Sequence, residues 1–417
     1  MKTHLLGRSS PRVLRARAGR CIDRSLVEPL ESRLHFSGGP PQDPARYQYQ
    51  SPLDTLNFDQ FVENVSPPPG SENSRFGDRV AALGDINFDG VNDFAISAPG
   101  VLDQDHHWTG APGSVYIYSG ATKALLGTLF DGSPGFGSSL QSLGDINGDG
   151  MPDLAIGSPS SDPNANATVD FVGCVSVFSG ADGSVLWIAS GVSRLDEFGW
   201  AIALAGDVNG DGRLDLFVGA PGAGGDADTA GPGAAFVLSG VNGGIIRSFT
   251  GENPGDRFGH AVDAGIDVPR MYNINEGDGF LDYLVGAPGY RSGEVAVGRA
   301  YAINGSDGSI RHTFTGSAAE EFGSAVAMLG IGTINNASNF RYAIGVPGLN
   351  GFDGGVRSWR VSGQEGFGDF ITGPVGQSSR FGEHIYHLNH IDGFNNAQSI
   401  AIAAPLSTTG YRTYLSW

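Results

Sequence analysis

Cysteine is nearly absent from this chain. Its 417 residues hold two, Cys21 and Cys174, too few for a disulfide framework or a cysteine-based zinc site. Basic residues are also scarce: 25 Lys and Arg stand against 44 Asp and Glu, a formal net charge of −19 that weighs against nucleic acid as a partner. No run of 18 apolar residues occurs, so no spanning helix is encoded. Neither G-x-S-x-G nor H-E-x-x-H appears, which removes two common hydrolase signatures. Glycine is what the chain has in quantity, 66 residues without a G-X-Y period. With 40% hydrophobic content the chain has enough apolar surface for a large core, and the composition points to turn-dense β architecture.

Charge divides the chain. Residues 1–46 carry nine Lys or Arg and four acids, so this stretch is +5 and the remaining 371 residues are −24. It reads as a basic targeting or disordered segment, excluded from fold reasoning, although it lacks the apolar stretch of an ordinary signal peptide. Within it, the run from Val27-Glu28-Pro29-Leu30-Glu31 to Ser37 resembles an N-terminal segment of many large surface and secreted planctomycete proteins. That resemblance implies secretion or surface display.

The body, residues 47–417, is one unit repeated. A Phe-Gly pair recurs at Phe76, Phe136, Phe198, Phe258, Phe322 and Phe381, at spacings of 60, 62, 60, 64 and 59 residues. A small residue and Pro follow each pair (Ala98-Pro99, Ser158-Pro159, Ala220-Pro221, Ala287-Pro288, Val346-Pro347, Ala404-Pro405). A Ser-Gly or Asn-Gly comes next, at Ser119, Ser179, Ser239, Asn304 and Ser362. Markers in fixed order at a fixed period define a repeat architecture. Within units, short β-branched and aromatic segments alternate with Gly, Asp and Asn, as in Ser138–Leu143, Leu154–Ser158, Cys174–Phe178 and Val185–Ala189. Four strands per unit without helical stretches predict a propeller blade, and six units predict an all-β, six-bladed β-propeller. The Phe of each pair is expected between blades, with its Gly admitting close backbone approach. The last unit stops at its third strand, and Leu53–Val65 is expected to supply the fourth and close the ring.

Between strands one and two of the first three units lies D-x-N-x-D-G-x-x-D. The copies are Asp85, Asn87, Asp89, Asp93; Asp145, Asn147, Asp149, Asp153; and Asp207, Asn209, Asp211, Asp215. Oxygens at positions one, three, five and nine, with Gly at six for the reversal and a backbone carbonyl at seven, suit a hard cation of flexible coordination. The expected cofactor is Ca²⁺, one ion in each of three loops. A fourth would require the degenerate loop of unit 4 to bind through Asp267, Asp278 and Asp282. Units 5 and 6 keep almost no carboxylate here and are expected to hold no metal.

The Phe-Gly pair, the acidic loop and Gly-Ala-Pro (Gly219-Ala220-Pro221, Gly286-Ala287-Pro288) together resemble FG-GAP repeats, the units of the integrin α-chain N-terminal propeller. The resemblance implies a propeller with calcium in the strand 1–2 loops, usually extracellular and often serving adhesion or ligand binding. Integrin α-chains carry seven repeats, a membrane anchor and a β-chain partner; with six repeats and no anchor here, integrin-type heterodimers are not carried over. The strand 2–3 connections are long in units 1 to 3, and long loops on a rigid scaffold are where binding concentrates. In the first, Asp103, Asp105, His106, His107 and Trp108 form the candidate contact for an extracellular protein or glycan ligand. His384, His387 and His390 look like a triad, but on a strand His384 and His387 face opposite sides, so they read as packing or surface residues. Cys174 reads as a buried small hydrophobe. The reading is a secreted or surface-displayed binding module; its alternative is a glycan-acting hydrolase or lyase, or a lectin, on the same scaffold.

Overall fold

The computed structural model describes residues 65, 67–69 and 74–416 except 103–107, 110–111, 161–171, 227–228, 267–279, 331–339, 350–352, 361–369, 373–379, 381, 390–397 and 405–411. The basic segment 1–46 and all but the last residue of Leu53–Val65 lie outside them.

Each unit folds into an antiparallel meander whose strands pair in chain order. Sheet one comprises Val80–Gly84, Asp93–Ala98, Ser114–Tyr118 and Leu125–Leu129. Sheet two comprises Ser139–Gly144, Asp153–Ser158, Cys174–Phe178 and Val185–Ser190. Sheet three is Ala201–Gly206, Asp215–Ala220, Ala234–Leu238 and Ile245–Thr250, and sheet four is Ala261–Ile266, Asp282–Ala287, Arg299–Ile303 and Ile310–Thr315. Sheet five is Val326–Gly330, Phe340–Gly345, Gly355–Arg360 and Phe370–Thr372. Sheet six has three strands, His384–Asn389, Gln398–Ala404 and Arg412–Ser416. The strands expected in unit 2 agree with these to within a residue at every end.

The first strand of each sheet touches the first strand of the next, from sheet one through to sheet six. First strands therefore line a common axis, and the chain is an all-β propeller. Second strands are covered on both faces: all six residues are buried in sheets one to four, which explains their unbroken apolar and small-residue character. Fourth strands face outward, as the exposed ends of Ile245–Thr250 and Ile310–Thr315 show.

The Phe-Gly and Gly-Ala-Pro markers meet at one joint. The Gly of each pair donates its N–H to the carbonyl two residues before the Pro of its own unit: Gly137 to Gly157 at 3.0 Å, Gly199 to Gly219 and Gly259 to Gly286 at 3.1 Å. The carbonyl of the same Gly presses on the preceding unit. A Cβ on Gly157 would lie 2.1 Å from the Gly199 oxygen, and one on Gly219 would lie 1.9 Å from the Gly259 oxygen. Only glycine admits two backbones that close. Phe136, Phe198, Phe258 and Phe322 fill the seams beside these joints. Phe136 packs with Ala81, Ala95 and Val115 of sheet one and with Leu154, Ile156 and Phe178 of sheet two. Phe198, Phe258 and Phe322 repeat this placement, and each also bridges to the Gly that precedes the third strand of the sheet before it.

Candidate metal centre

The three acidic loops leave strand one through a bulge at Gly84, Gly144 and Gly206, each with φ between 66° and 77°. A glycine bulge increases local twist and re-aims the chain, here into the tight turn that follows. The side chains then form the same network three times. Asp85 accepts the Asp89 and Gly90 N–H groups at 3.0 and 2.8 Å. Asp145 accepts those of Asp149 and Gly150, and Asp207 those of Asp211 and Gly212. The position-three amide oxygen accepts the position-five N–H at 2.9, 2.8 and 2.9 Å. The position-five carboxylate accepts the position-seven N–H. The position-six glycines Gly90, Gly150 and Gly212 have φ of 90°, 91° and 80°, as the reversal requires.

Position nine behaves differently. Asp93, Asp153 and Asp215 open strand two and are completely buried. One oxygen of each accepts the N–H groups of positions two and three, as Asp93 does from Ile86 at 3.0 Å and Asn87 at 3.2 Å. The other accepts the glycine of the Ser-Gly marker: Gly120 at 2.9 Å, Gly180 at 3.1 Å and Gly240 at 3.0 Å. Burial pushes all three carboxyls above the usual range despite these donors, Asp153 to about 6.

None of the nine loop carboxylates pairs with a Lys or Arg among the described residues. Each loop thus keeps three carboxylates within nine residues, held by backbone, amide and hydroxyl donors. The Arg213 guanidinium of the third loop donates to the Asp145 backbone carbonyl of the second rather than to a carboxylate. Among the described residues, no three Asp, Glu, His or Cys side chains stand together as a ready cation cluster. The donor chemistry nonetheless fits a hard divalent cation. Every candidate ligand is oxygen, a carboxylate has about four acceptor sites of which these use only some, and the charge is uncompensated. The residues that would hold it are Asp85, Asn87, Asp89 and Asp93 and their counterparts, with the carbonyls of Val91, Met151 and Arg213.

Unit 4 departs from this. Asp267 and Asp278 lie outside the described residues, while Asp282 is buried and accepts the Gly305 N–H at 2.9 Å. Its other oxygen faces the Arg311 Nε at 3.4 Å. Arg311 occupies the bulge of strand four. Leu126, Leu186 and Ile246 hold the same bulge in sheets one to three.

Comparison with known proteins agrees with this geometry. The family profile described as the FG-GAP repeat matches residues 136–173 and 198–238, the second and third units. The second and third units are FG-GAP repeats. Integrin alpha-2 of Bos taurus is 38% identical over 113 residues, 24% of this chain and 9% of its own length. Integrin alpha-5 of Xenopus laevis is 29% identical over 274 residues, 62% of this chain and 24% of its own. The phosphatidylinositol-glycan-specific phospholipase D of Rattus norvegicus is 34% identical over 205 residues, 44% of this chain and 23% of its own. The chain thus spans less than a quarter of the length of each of these relatives, and resembles the propeller of the integrin α-chains.

The other candidate residues separate from the FG-GAP loops. Asp103, Asp105, His106 and His107 lie outside the described residues, and Trp108 belongs to a two-stranded hairpin, Val101–Leu102 with Trp108–Thr109. His384 and His387 sit on the first strand of sheet six, and His390 lies outside. Cys174 begins the third strand of sheet two and is buried, as expected. Cys21 lies outside the described residues.

One recurrent feature escaped the sequence reading: an acid two residues before the Phe, Asp196, Asp256 or Glu320, buried and accepting N–H groups of its own loop. The spacing [DE]-x-F-G was its signal. The residue just before the Phe adopts the left-handed region and links neighbouring units, Arg257 to Glu197 at 3.4 Å and Arg380 to Glu321 at 2.6 Å.

Proposed function

We propose that this FG-GAP propeller is an extracellular or cell-surface module that binds a protein or glycan ligand, with structural Ca²⁺ in the loops of units 1 to 3. The observation that carries the reading is the threefold recurrence of one oxygen-only loop whose three carboxylates form no ion pair among the described residues. A bound ion supplies the missing positive charge. The chain's own residues do the rest: positions one, three and five hold the turn, and position nine ties it to strand two and to the strand 3–4 hairpin. That fixation stiffens the scaffold from which the strand 2–3 loops, including Asp103, Asp105, His106, His107 and Trp108, would meet the ligand. Likeness to integrin α-chains supports the adhesion role, and the basic segment 1–46 supports export. No helix among the described residues is long and apolar enough to cross a membrane.

Metal analysis of the purified chain should find three calcium ions. Extracellular sites of about 10⁻⁴–10⁻³ M affinity add roughly 1.4 to 2.7 kcal/mol each at about 10 mM calcium. Chelation by EDTA should therefore lower the melting temperature by several degrees. A melting curve identical with calcium and with EDTA refutes the structural role. A screen of glycans and extracellular proteins, run with and without calcium, tests the ligand.

A further inference from the structure

The Ser-Gly marker between strands three and four is the second half of each acidic loop. Gly120, Gly180, Gly240 and Gly305 donate to the position-nine carboxylates, and a Cβ on any of them would lie 1.8 to 1.9 Å from the carbonyl just before that Asp. The hairpin is thus seated directly on the loop. The serine adds a contact that differs between units. The Ser119 hydroxyl donates to Asp89 Oδ2 at 3.0 Å and the Ser179 hydroxyl to Asp149 Oδ2 at 2.9 Å. Ser239, in the same place and equally buried, makes no such bond to Asp211, whose Oδ2 accepts only the Asn209 amide at 2.8 Å.

We infer that Ser119 and Ser179 are positioning residues for cation binding at the first two loops, and that the third loop binds without this support. The inference rests on the calcium reading above. The position-five carboxylate is held at one oxygen by the position-seven N–H in all three loops. At the other it is held by Ser119 in loop one, by Ser179 in loop two and by the Asn209 amide in loop three, so serine fixes the rotamer before a cation arrives only in the first two. In loop two Asn147 adds a third donor at 2.7 Å. Fixing a side chain in advance saves about 0.5–1.5 kcal/mol on binding, a factor of about two to ten in affinity.

Isothermal titration of the full chain with calcium alone tests this, alongside melting in EDTA to show that each variant is folded. Ser119→Ala should weaken one class of sites by about two- to tenfold, and Ser179→Ala should weaken its class by less, because Asn147 still holds the same oxygen of Asp149. Ser179→Thr should restore affinity, since the hydroxyl returns, and Ser239→Ala should leave the isotherm unchanged. Wild-type affinity in both Ser119→Ala and Ser179→Ala overturns the inference alone, as does an equal loss in Ser239→Ala. A wild-type chain that binds no calcium overturns the calcium reading and this inference with it.

Discussion

Substituting Gly219 by Ala tests the joint between neighbouring sheets. Gly219 lies on strand two of sheet three, and its Cα faces the carbonyl of Gly259, the glycine of the next Phe-Gly pair. An added Cβ would stand 1.9 Å from that oxygen, with the oxygen's own carbon at 2.9 Å. No flexible side chain can yield, because both atoms are backbone. Reaching even 3.0 Å requires sheets three and four to part by about 1.1 Å at the joint, the difference between those two distances. A gap of about 0.5–1 Å already forfeits a quarter to a half of a dispersion contact. Phe258 beside the joint is 3% exposed and packs on both sheets, so the loss is felt across its whole ring. The Phe258 N–H bond to the Pro232 carbonyl, 3.0 Å long, crosses from unit 4 to unit 3, is stretched by the same movement and is worth about 1 kcal/mol. Together these predict a destabilisation of about 3 kcal/mol, at the upper end of overpacking effects. Urea denaturation followed by tryptophan fluorescence measures it as a lower midpoint. Gly127→Ala is the control: Gly127 lies on strand four of sheet one with no heavy atom within 4 Å of an added Cβ. It should be neutral or more stable by about 0.5–1 kcal/mol. If the two variants unfold at the same urea concentration, glycine at this position has nothing to do with close approach, and the account of the FG-GAP markers fails.

Two further predictions concern single residues. Phe88 occupies position four of the first loop with φ of 61°, where the sister loops have Gly148 and Gly210, and its side chain is 48% exposed. Left-handed backbone costs a bulky residue roughly 1–2 kcal/mol, and glycine returns about 0.5–1 of that as chain entropy. Phe88→Gly should therefore raise the unfolding free energy by about 0.5–1 kcal/mol; a loss of stability would show that the Phe88 ring holds the loop. Asp131, in the connection from sheet one to sheet two, is wholly buried, and its carboxyl is pushed up to about 7 by burial, although the Ser133 N–H and Ser158 hydroxyl donate to it. A carboxyl that binds its proton more tightly when folded costs nothing below about pH 4, and stability falls as the pH rises through its folded value. The ceiling is about 4 kcal/mol, from roughly three pK units at about 1.4 kcal/mol each. Between pH 5 and 8 the melting temperature of Asp131→Asn should gain steadily on the wild type; two curves that stay parallel would show that Asp131 titrates normally.

What could be read from the sequence and what could not divide along a physical line. The Phe-Gly pair, Gly-Ala-Pro and Ser-Gly were visible because each depends on glycine, and glycine is demanded wherever two backbones touch irrespective of the partner's identity. The acidic loops were visible because all their turn contacts fall within nine residues. Contacts between distant residues stayed hidden. Ser119 meets Asp89 thirty residues away, and Arg311 meets Asp282 across two strands. Each is a side-chain substitution on an unchanged backbone, with nothing local to mark it. Unit 4 shows the consequence. Its loop retains the position-nine acid, which in isolation suggests a surviving metal site. The departure that matters is an arginine in the strand-four bulge, where sheets one to three carry Leu126, Leu186 and Ile246. A buried carboxylate with its own guanidinium is compensated within the fold. Asp93, Asp153 and Asp215 have N–H donors alone and, on the calcium reading proposed above, are the ones that would need an external cation. Loop spacing therefore ranks the units by their candidate ligands, while the partner of the position-nine carboxylate ranks them by need, and only the fold brings that partner into view.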